Sequence, residues 1–356
     1  MNVSFSLKTY HCLALAVAIV LPHMAIAQTT APKYEVDLTW PKPLPTRWVL
    51  GGLGGLCIDS QDHVFILNRQ DVLDADLNAG HMAPPIIEFD PSGTVVRFWG
   101  DLNVLDPRLH SCHFDKENNI WIGSAPSGMI QKYSHDGMKM LQQIGKKGAL
   151  DSSDGTPKGK PLNSSAAIFF SPSSIFADPQ NGDIYVSDGE GHNANRRIAV
   201  VDRNGKFLRQ WQPEGMETVH CMTVSRDGLV YVCNRENSRI QVYDKMGKFV
   251  KNIEVPWKPH TPPADGKPKK ESGGSAVALD FSRDPAQKYI YLINQNNAQI
   301  EIIDRQSGKN LGHFGRPGHY PGQFDQAHGI AVDSQGNVYV AENRGRRVQK
   351  FKIVAQ

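Results

Sequence analysis

The sequence predicts an all-β fold, a six-bladed β-propeller whose ring is closed by an N-terminal strand. Three observations predict it. A segment of about fifty-five residues recurs six times, beginning near residues 54, 110, 173, 220, 275 and 328. Each copy has the same grammar: alternating apolar residues, Asp-x-x-Gly or a relative, a strand such as VYV or IYV, then Arg-(Ile/Val)-x-x-(Tyr/Phe). The last copy runs out one strand early, while a strand-like segment, Tyr34–Trp40, stands ahead of the first. Short period-two strands separated by Gly/Asp/Asn turns make antiparallel meanders. One meander cannot bury both faces alone, so successive meanders stack radially.

The chain opens on an export signal. The apolar run LALAVAIVLPHMAIA ends in Ala25-Ile26-Ala27, the small-residue pattern of a signal-peptidase site, with Lys8 the one positive charge ahead of it. Residues 1–27 read as a signal peptide and residues 28–356 as a single propeller domain, periplasmic or secreted. No second stretch approaches the ~20 apolar residues that span a bilayer. Thirty-nine basic against 36 acidic residues leave a net charge of +3, which excludes nucleic acid as the main partner. The oligomeric state is not legible. Cys12 leaves with the signal, and Cys57, Cys112, Cys221 and Cys233 fall within strands, where free cysteine acts as a small apolar residue. Cys221 and Cys233 sit on neighbouring strands of one hairpin, but one residue out of register, which disfavours a disulfide.

Three long insertions interrupt the repeats, Gln70–Pro85, Lys146–Ser171 and Pro256–Gly274. The last two are rich in Pro, Gly and Lys and read as surface loops, which on a rigid scaffold usually carry specificity.

The chemistry sits at one repeat position. His110, His220 and His328 each stand eleven residues before a strand aromatic, Trp121, Tyr231 and Tyr339. The intervening repeats place Gly54, Ser173 and Ser275 there. The inner strand of each blade lines the channel, so alternate blades send three imidazoles to the axis at roughly 120° intervals. That is a tris-histidine metal site with an open coordination position. Zinc is the first choice, although another divalent transition metal also suits three nitrogens. Arg69, in VFILNRQ, either pairs with a substrate carboxylate or is an ordinary blade arginine, as Arg235 in YVCNRE is expected to be. Glu190 and His192, in VSDGEGHNANRR, either supply a general base or further ligand beside the metal, or decorate the surface.

These repeats resemble NHL repeats. The whole mature chain is similar to the peptidyl-α-hydroxyglycine α-amidating lyase family, most clearly through VFILNR, LHSCHFDKENNIWIG, VSDG, VHCMTVSRDGLVYVCNRENSRIQVY and AHGIAVDSQGNVYVAENRGRRVQKF. The resemblance implies a six-bladed propeller that binds zinc through His110, His220 and His328. It implies that Arg69 pairs with the substrate carboxylate while a carbinolamide C–N bond is split to give a peptide amide and glyoxylate. Three departures stand out. The family's catalytic tyrosine after VSDG is Glu190 here. The aspartate after its last zinc histidine, a structural calcium ligand, is Gly329, which puts calcium in doubt. A methionine two positions before that histidine is Gln326.

Three functions follow from these residues. The first is a metal-dependent lyase acting on a small-molecule or peptide substrate that carries a carboxylate. The second is a lactonase-like propeller hydrolase, which usually puts Glu, Asn and Asp on its metal rather than three histidines. The third is a non-catalytic NHL binding module of the cell envelope.

Overall fold

Six four-stranded antiparallel sheets follow one another along the chain. The computed structural model describes residues 30–354, apart from 79, 192 and 258–273, together with residues 1 and 3. Apart from residues 1 and 3, the proposed signal segment lies outside the described residues, as do His192 and most of the Pro256–Gly274 insertion. Residues Ala31–Gln356 make one compact unit.

Each blade runs from an inner strand outwards. The inner strands are Leu53–Ile58, Leu109–Phe114, Pro172–Ala177, Val219–Val224, Ala276–Phe281 and Ala327–Val332. Each packs against the next, and the sixth against the first, so the ring is closed. The turn leaving the inner strand explains the Asp-x-x-Gly signal. Asp333 Oδ1 accepts from the backbone N–H groups of Gln335 and Asn337, and Asp59 and Asp115 do the same in their own turns. The fourth turn residue takes a left-handed backbone, at φ 83° for Gly228 and Gly336. Where glycine is missing, Asp62 and Asn118 adopt that conformation at φ 64° and 60°. Short polar side chains tolerate it better than most residues.

The ring closes through the N-terminal strand, as the repeat count predicts. Lys33–Val36 pairs antiparallel with Arg347–Val354, Tyr34 facing Ile353 and Val36 facing Phe351. Tyr34 donates its hydroxyl to Tyr291 of blade five at 2.7 Å. Trp40, beyond the strand, is buried between Phe89 of blade one and Tyr339 of blade six. The first insertion is not structureless. It carries a helical turn, Asp74–Leu77, and a short strand, His81–Met82, parallel to Trp48–Val49.

Every inner strand carries one extra residue near its start. Between Leu53 and Gly55, Leu109 and Ser111, Pro172 and Ser174, Val219 and Met222, Ala276 and Leu279, and Ala327 and Gly329, the ladder skips one residue of register. These are β-bulges, which break the two-residue alternation and re-aim side chains. They correct the sequence reading at two points. In blade five the position equivalent to the histidines is Val277, not Ser275, because the longer turn Ser282–Gln287 distorts the spacing to the strand aromatic. In blade four the extra residue restores the register between Cys221 and Cys233, and the two form a disulfide with Cα atoms 5.0 Å apart.

The remaining cysteines are also bonded, against the expectation of free apolar residues. Cys57 and Cys112 join the inner strands of blades one and two, with Cα atoms 5.6 Å apart. The two cysteines stand one repeat apart in sequence and meet only because adjacent blades are adjacent in space. Chain-entropy reasoning gives roughly 4 kcal/mol for a loop of this length and about 3 kcal/mol for the shorter Cys221–Cys233 loop. Cys57→Ala/Cys112→Ala is therefore expected to lower the urea-unfolding free energy more than Cys221→Ala/Cys233→Ala does, in parallel denaturation curves.

Candidate metal centre

The bulged positions of blades two, four and six bring His110, His220 and His328 together. Their ring centroids lie 4.9, 4.8 and 5.0 Å apart, a nearly equilateral triangle built from three blades. The three imidazoles are buried, and one ring nitrogen of each falls within 4.8 Å of the others.

The intervening blades orient these rings. Nδ1 of His110 hydrogen-bonds to the carbonyl of Ser173 at 2.7 Å, Nδ1 of His220 to that of Val277 at 2.7 Å, and Nδ1 of His328 to that of Gly54 at 2.8 Å. A carbonyl only accepts, so each Nδ1 carries the proton and each Nε2 keeps its lone pair. Nε2 of His110 and of His220 is buried with no hydrogen-bond partner. Orphaned buried acceptors are rare and costly. Nδ1–H donated to a backbone carbonyl is also the outer-shell arrangement of metal-bound histidine. The residues therefore fit a divalent metal held through three nitrogens.

Electrostatics agree. Burial, then the neighbouring imidazoles His328 and His220, holds His110 well below the usual histidine range. Burial and then Arg69 do the same for His328. His220 is lowered by burial, against the opposing pull of Glu190. All three are neutral at pH 7, as ligation requires.

Arg69 and Glu190 flank this triad. Arg69 leaves the second strand of blade one and donates Nε to the carbonyl of Leu109, the residue before His110, at 3.1 Å. Gly54 makes that placement possible, since a Cβ there would fall 2.8 Å from Arg69 Nε and 1.8 Å from the Leu109 carbonyl oxygen. Desolvation and the nearby Arg108 push Arg69 down to about 10, so it stays cationic at neutral pH while buried at a cost that an incoming carboxylate relieves. Glu190 is not surface decoration. Its Oε2 lies 3.4 Å from His220 Nε2 and its Oε1 3.7 Å from Arg235 Nη1. Burial raises its pKa, but the surrounding positive charge, Arg235, Arg69 and Arg108 included, outweighs burial and holds the carboxylate below its ordinary range.

Sequence reasoning missed three supporting cations. Arg235, expected to be an ordinary blade arginine, reaches the site beside Glu190. It has the same fifteen-residue offset from His220 as Arg69 has from Gly54, and that offset was the available signal. Arg108 adds positive charge that acts on both Arg69 and Glu190. Arg197 is fully buried and binds Asp188 and Asp151 at 2.9 and 3.0 Å. Asp188 in turn accepts from the N–H groups of Phe170 and Ser171, while Gly189 and Glu190 donate theirs to the Ser171 carbonyl. The turn carrying Glu190 is thus pinned to the Lys146–Ser171 insertion.

The calcium position does not fit. A Cβ on Gly329 would fall 2.8 Å from Gly55 Cα and 3.0 Å from Leu56 N. An aspartate side chain has no room there, because the bulged strand of blade one occupies it. On the other side of the triad, a cavity of about 700 Å³ follows the inner strands from the histidines to the turns at Asp59, Asp115 and Asp178. Arg69, Glu190 and Arg235 do not line it.

The NHL repeat family matches residues 218–243 and 324–351, within blades four and six. The chain carries NHL repeats. Human NHL repeat-containing protein 3 is 25% identical over 333 residues, covering 89% of this chain and 84% of the human protein. Rat peptidylglycine alpha-amidating monooxygenase is 22% identical over 351 residues, covering 90% of this chain but 32% of the rat protein. A probable peptidyl-alpha-hydroxyglycine alpha-amidating lyase of Caenorhabditis elegans is 21% identical over 257 residues, covering 69% of this chain and 64% of the nematode protein. The chain is an NHL-type propeller distantly related to the amidating lyases. Among solved structures, a streptogramin B lyase superposes with a TM-score of 0.57 at 14% identity, covering 90% of this chain and 98% of that one. That likeness shows the fold.

A pH dependence follows from the three lowered imidazoles. Below about 6.5 the unfolded chain binds protons that the folded metal-free site refuses, so stability falls as pH drops through that value. Above it, folded and unfolded histidines are both neutral and the three groups contribute no slope. Urea unfolding of the metal-free protein is expected to show a steeper loss between pH 6.5 and 5 than the His110→Gln/His220→Gln/His328→Gln variant shows.

Proposed function

We propose that this protein is an exported, metal-dependent carbon–nitrogen lyase that splits an N-acyl α-hydroxyglycine into an amide and glyoxylate. The observation that carries the reading is the triad of buried imidazoles, two of them, His110 and His220, with unpartnered Nε2 atoms, flanked by a buried arginine and an ionised carboxylate. Distant relatedness to amidating lyases supports the reaction class. Two disulfides support export, since such bonds persist in oxidising compartments.

His110, His220 and His328 would hold the ion through Nε2. A divalent ion, zinc first, supplies Lewis acidity toward the substrate's oxygen atoms. Arg69 holds the substrate carboxylate, which replaces the water the buried guanidinium lacks. This leaves the hydroxyl-bearing carbon between Arg69 and the triad. Glu190 accepts the hydroxyl proton, the C–O bond gains double-bond character, and the C–N bond breaks with its electron pair moving to nitrogen. Glu190 then returns the proton to that nitrogen, so amide and aldehyde leave with atoms and charge balanced. A carboxylate suits both halves. It is ionised before substrate arrives, and its conjugate acid is a stronger donor than a tyrosine would be. Arg235 keeps Glu190 beside His220 and in its charged form.

The first experiment is metal content of the purified mature protein, combined with a glyoxylate-release assay on an N-acyl α-hydroxyglycine. About one transition metal per chain at the axis and turnover abolished in His220→Ala are expected. Glu190→Gln should lower kcat by about 10²–10⁴-fold, the range for loss of a positioned acid–base group. Arg69→Ala should act chiefly on KM. Full turnover in the triple-histidine variant would sink the reading. No axial metal after reconstitution would favour a binding module.

A further inference from the structure

A second cluster of histidines and carboxylates lies between blades one and two, away from the axial triad. We infer that Asp59, Glu88 and His135 form a second divalent-cation site that staples these two blades together. Their ligand atoms, one from each residue, all fall within 4.8 Å of one another. His135 Nε2 lies 2.7 Å from Asp59 Oδ2, and His63 Nδ1 lies 2.6 Å from Glu88 Oε1. The His135 ring is held in place by Phe65 and Phe114, with centroids 5.6 and 5.7 Å away.

Two observations separate this cluster from an ordinary ion pair. The first is charge. Both carboxylates are buried, at 0% and 1% side-chain exposure, and Arg97 is the one permanent cation beside them. A divalent ion would neutralise both buried carboxylates at once, where one arginine stands beside them. The second is an unused acceptor. Glu88 Oε2 is buried and makes no hydrogen bond, although Arg97 Nη1 stands 3.3 Å away. The Arg97 side chain, 40% exposed, also reaches His135 Nδ1 at 3.5 Å, and it would yield its place at both residues to an entering ion.

The donor set fixes the ligand class. One imidazole nitrogen and two carboxylates suit zinc, manganese or ferrous iron better than a soft thiolate-seeking metal or an all-oxygen calcium site. His63, bonded to Glu88 from the outer side, would orient that carboxylate as outer-shell partners of metal ligands do. Asp59 is already fixed from its other oxygen, because Oδ1 accepts from the N–H groups of Gln61 and His63. The site lies on the same pair of blades as the Cys57–Cys112 disulfide, so two cross-links reinforce one seam of the ring.

The test is a count. Metal-free protein is titrated with zinc chloride, and separately with manganese chloride, by calorimetry and by elemental analysis after gel filtration. Wild type is expected to hold two equivalents of zinc, and His110→Ala/His220→Ala/His328→Ala to retain one. His135→Ala/Glu88→Gln is expected to lose one equivalent while the axial one remains. That comparison needs no axial variant, so it stands if the triple variant fails to fold. Zinc should also raise the thermal midpoint of the triple variant but not of a variant lacking both clusters. A wild-type capacity of one, lost entirely with the axial histidines, would overturn the second site. So would a second equivalent indifferent to His135→Ala/Glu88→Gln. Loss of the axial equivalent alone would tell against the lyase reading and leave this site intact.

Discussion

Each inner strand carries one residue more than the strand it pairs with, and that surplus sets both the channel and the chemistry at its mouth. A regular ladder alternates side chains between the two faces of a blade, which suits blade-to-blade packing but points few groups at the axis. The bulge interrupts the alternation at one place per blade. In three blades the surplus position is a histidine, and the rings meet within 5.0 Å. In the other three it is Gly54, Ser173 or Val277, whose carbonyls receive the imidazole protons. Alternation therefore does two things. It spaces the rings, and it interleaves each with the acceptor that fixes its tautomer.

The same crowding explains the small residues around the site. Gly54 yields its side-chain volume to Arg69 and to the Leu109 carbonyl, and Gly329 yields its own to the strand of blade one. Charge is distributed with comparable economy. Three neutral imidazoles sit among Arg69, Arg108 and Arg235, and Glu190 is the carboxylate those cations share. Such a charge distribution suits an anionic ligand and keeps Glu190 ionised. The turn that carries Glu190 is rigid because the buried Arg197 binds both Asp188 and Asp151, joining blade three to its long insertion.

Candidate-site residues and the turns that cap the strands are segregated along the channel. The histidines occupy the bulged ends of the inner strands, with Arg69 and Arg235 just past the second strands beside them, whereas the Asp-capped turns close the other ends. Covalent reinforcement falls where blade one meets blade two and within blade four. Blade six, completed by residues from the opposite end of the chain, is tied by Tyr34 and Trp40 to its neighbours on both sides.

Periodicity is local information, so the sequence by itself determined the repeat number, the four-stranded blades, the closing strand and the three histidines on one axis. The same repeat logic put Arg69 and Glu190 near the mouth. Register and seams between blades are not local. The bulges, set by how each strand meets its partner, moved the blade-five position from Ser275 to Val277 and brought Cys221 opposite Cys233. Cys57 met Cys112 only once blades one and two were packed together. Arg235 became part of the site through Glu190 in a different blade, and the loss of calcium's ligand at Gly329 became a matter of space rather than of spelling. Tertiary structure decided these points because each depends on distances between residues that the chain keeps far apart.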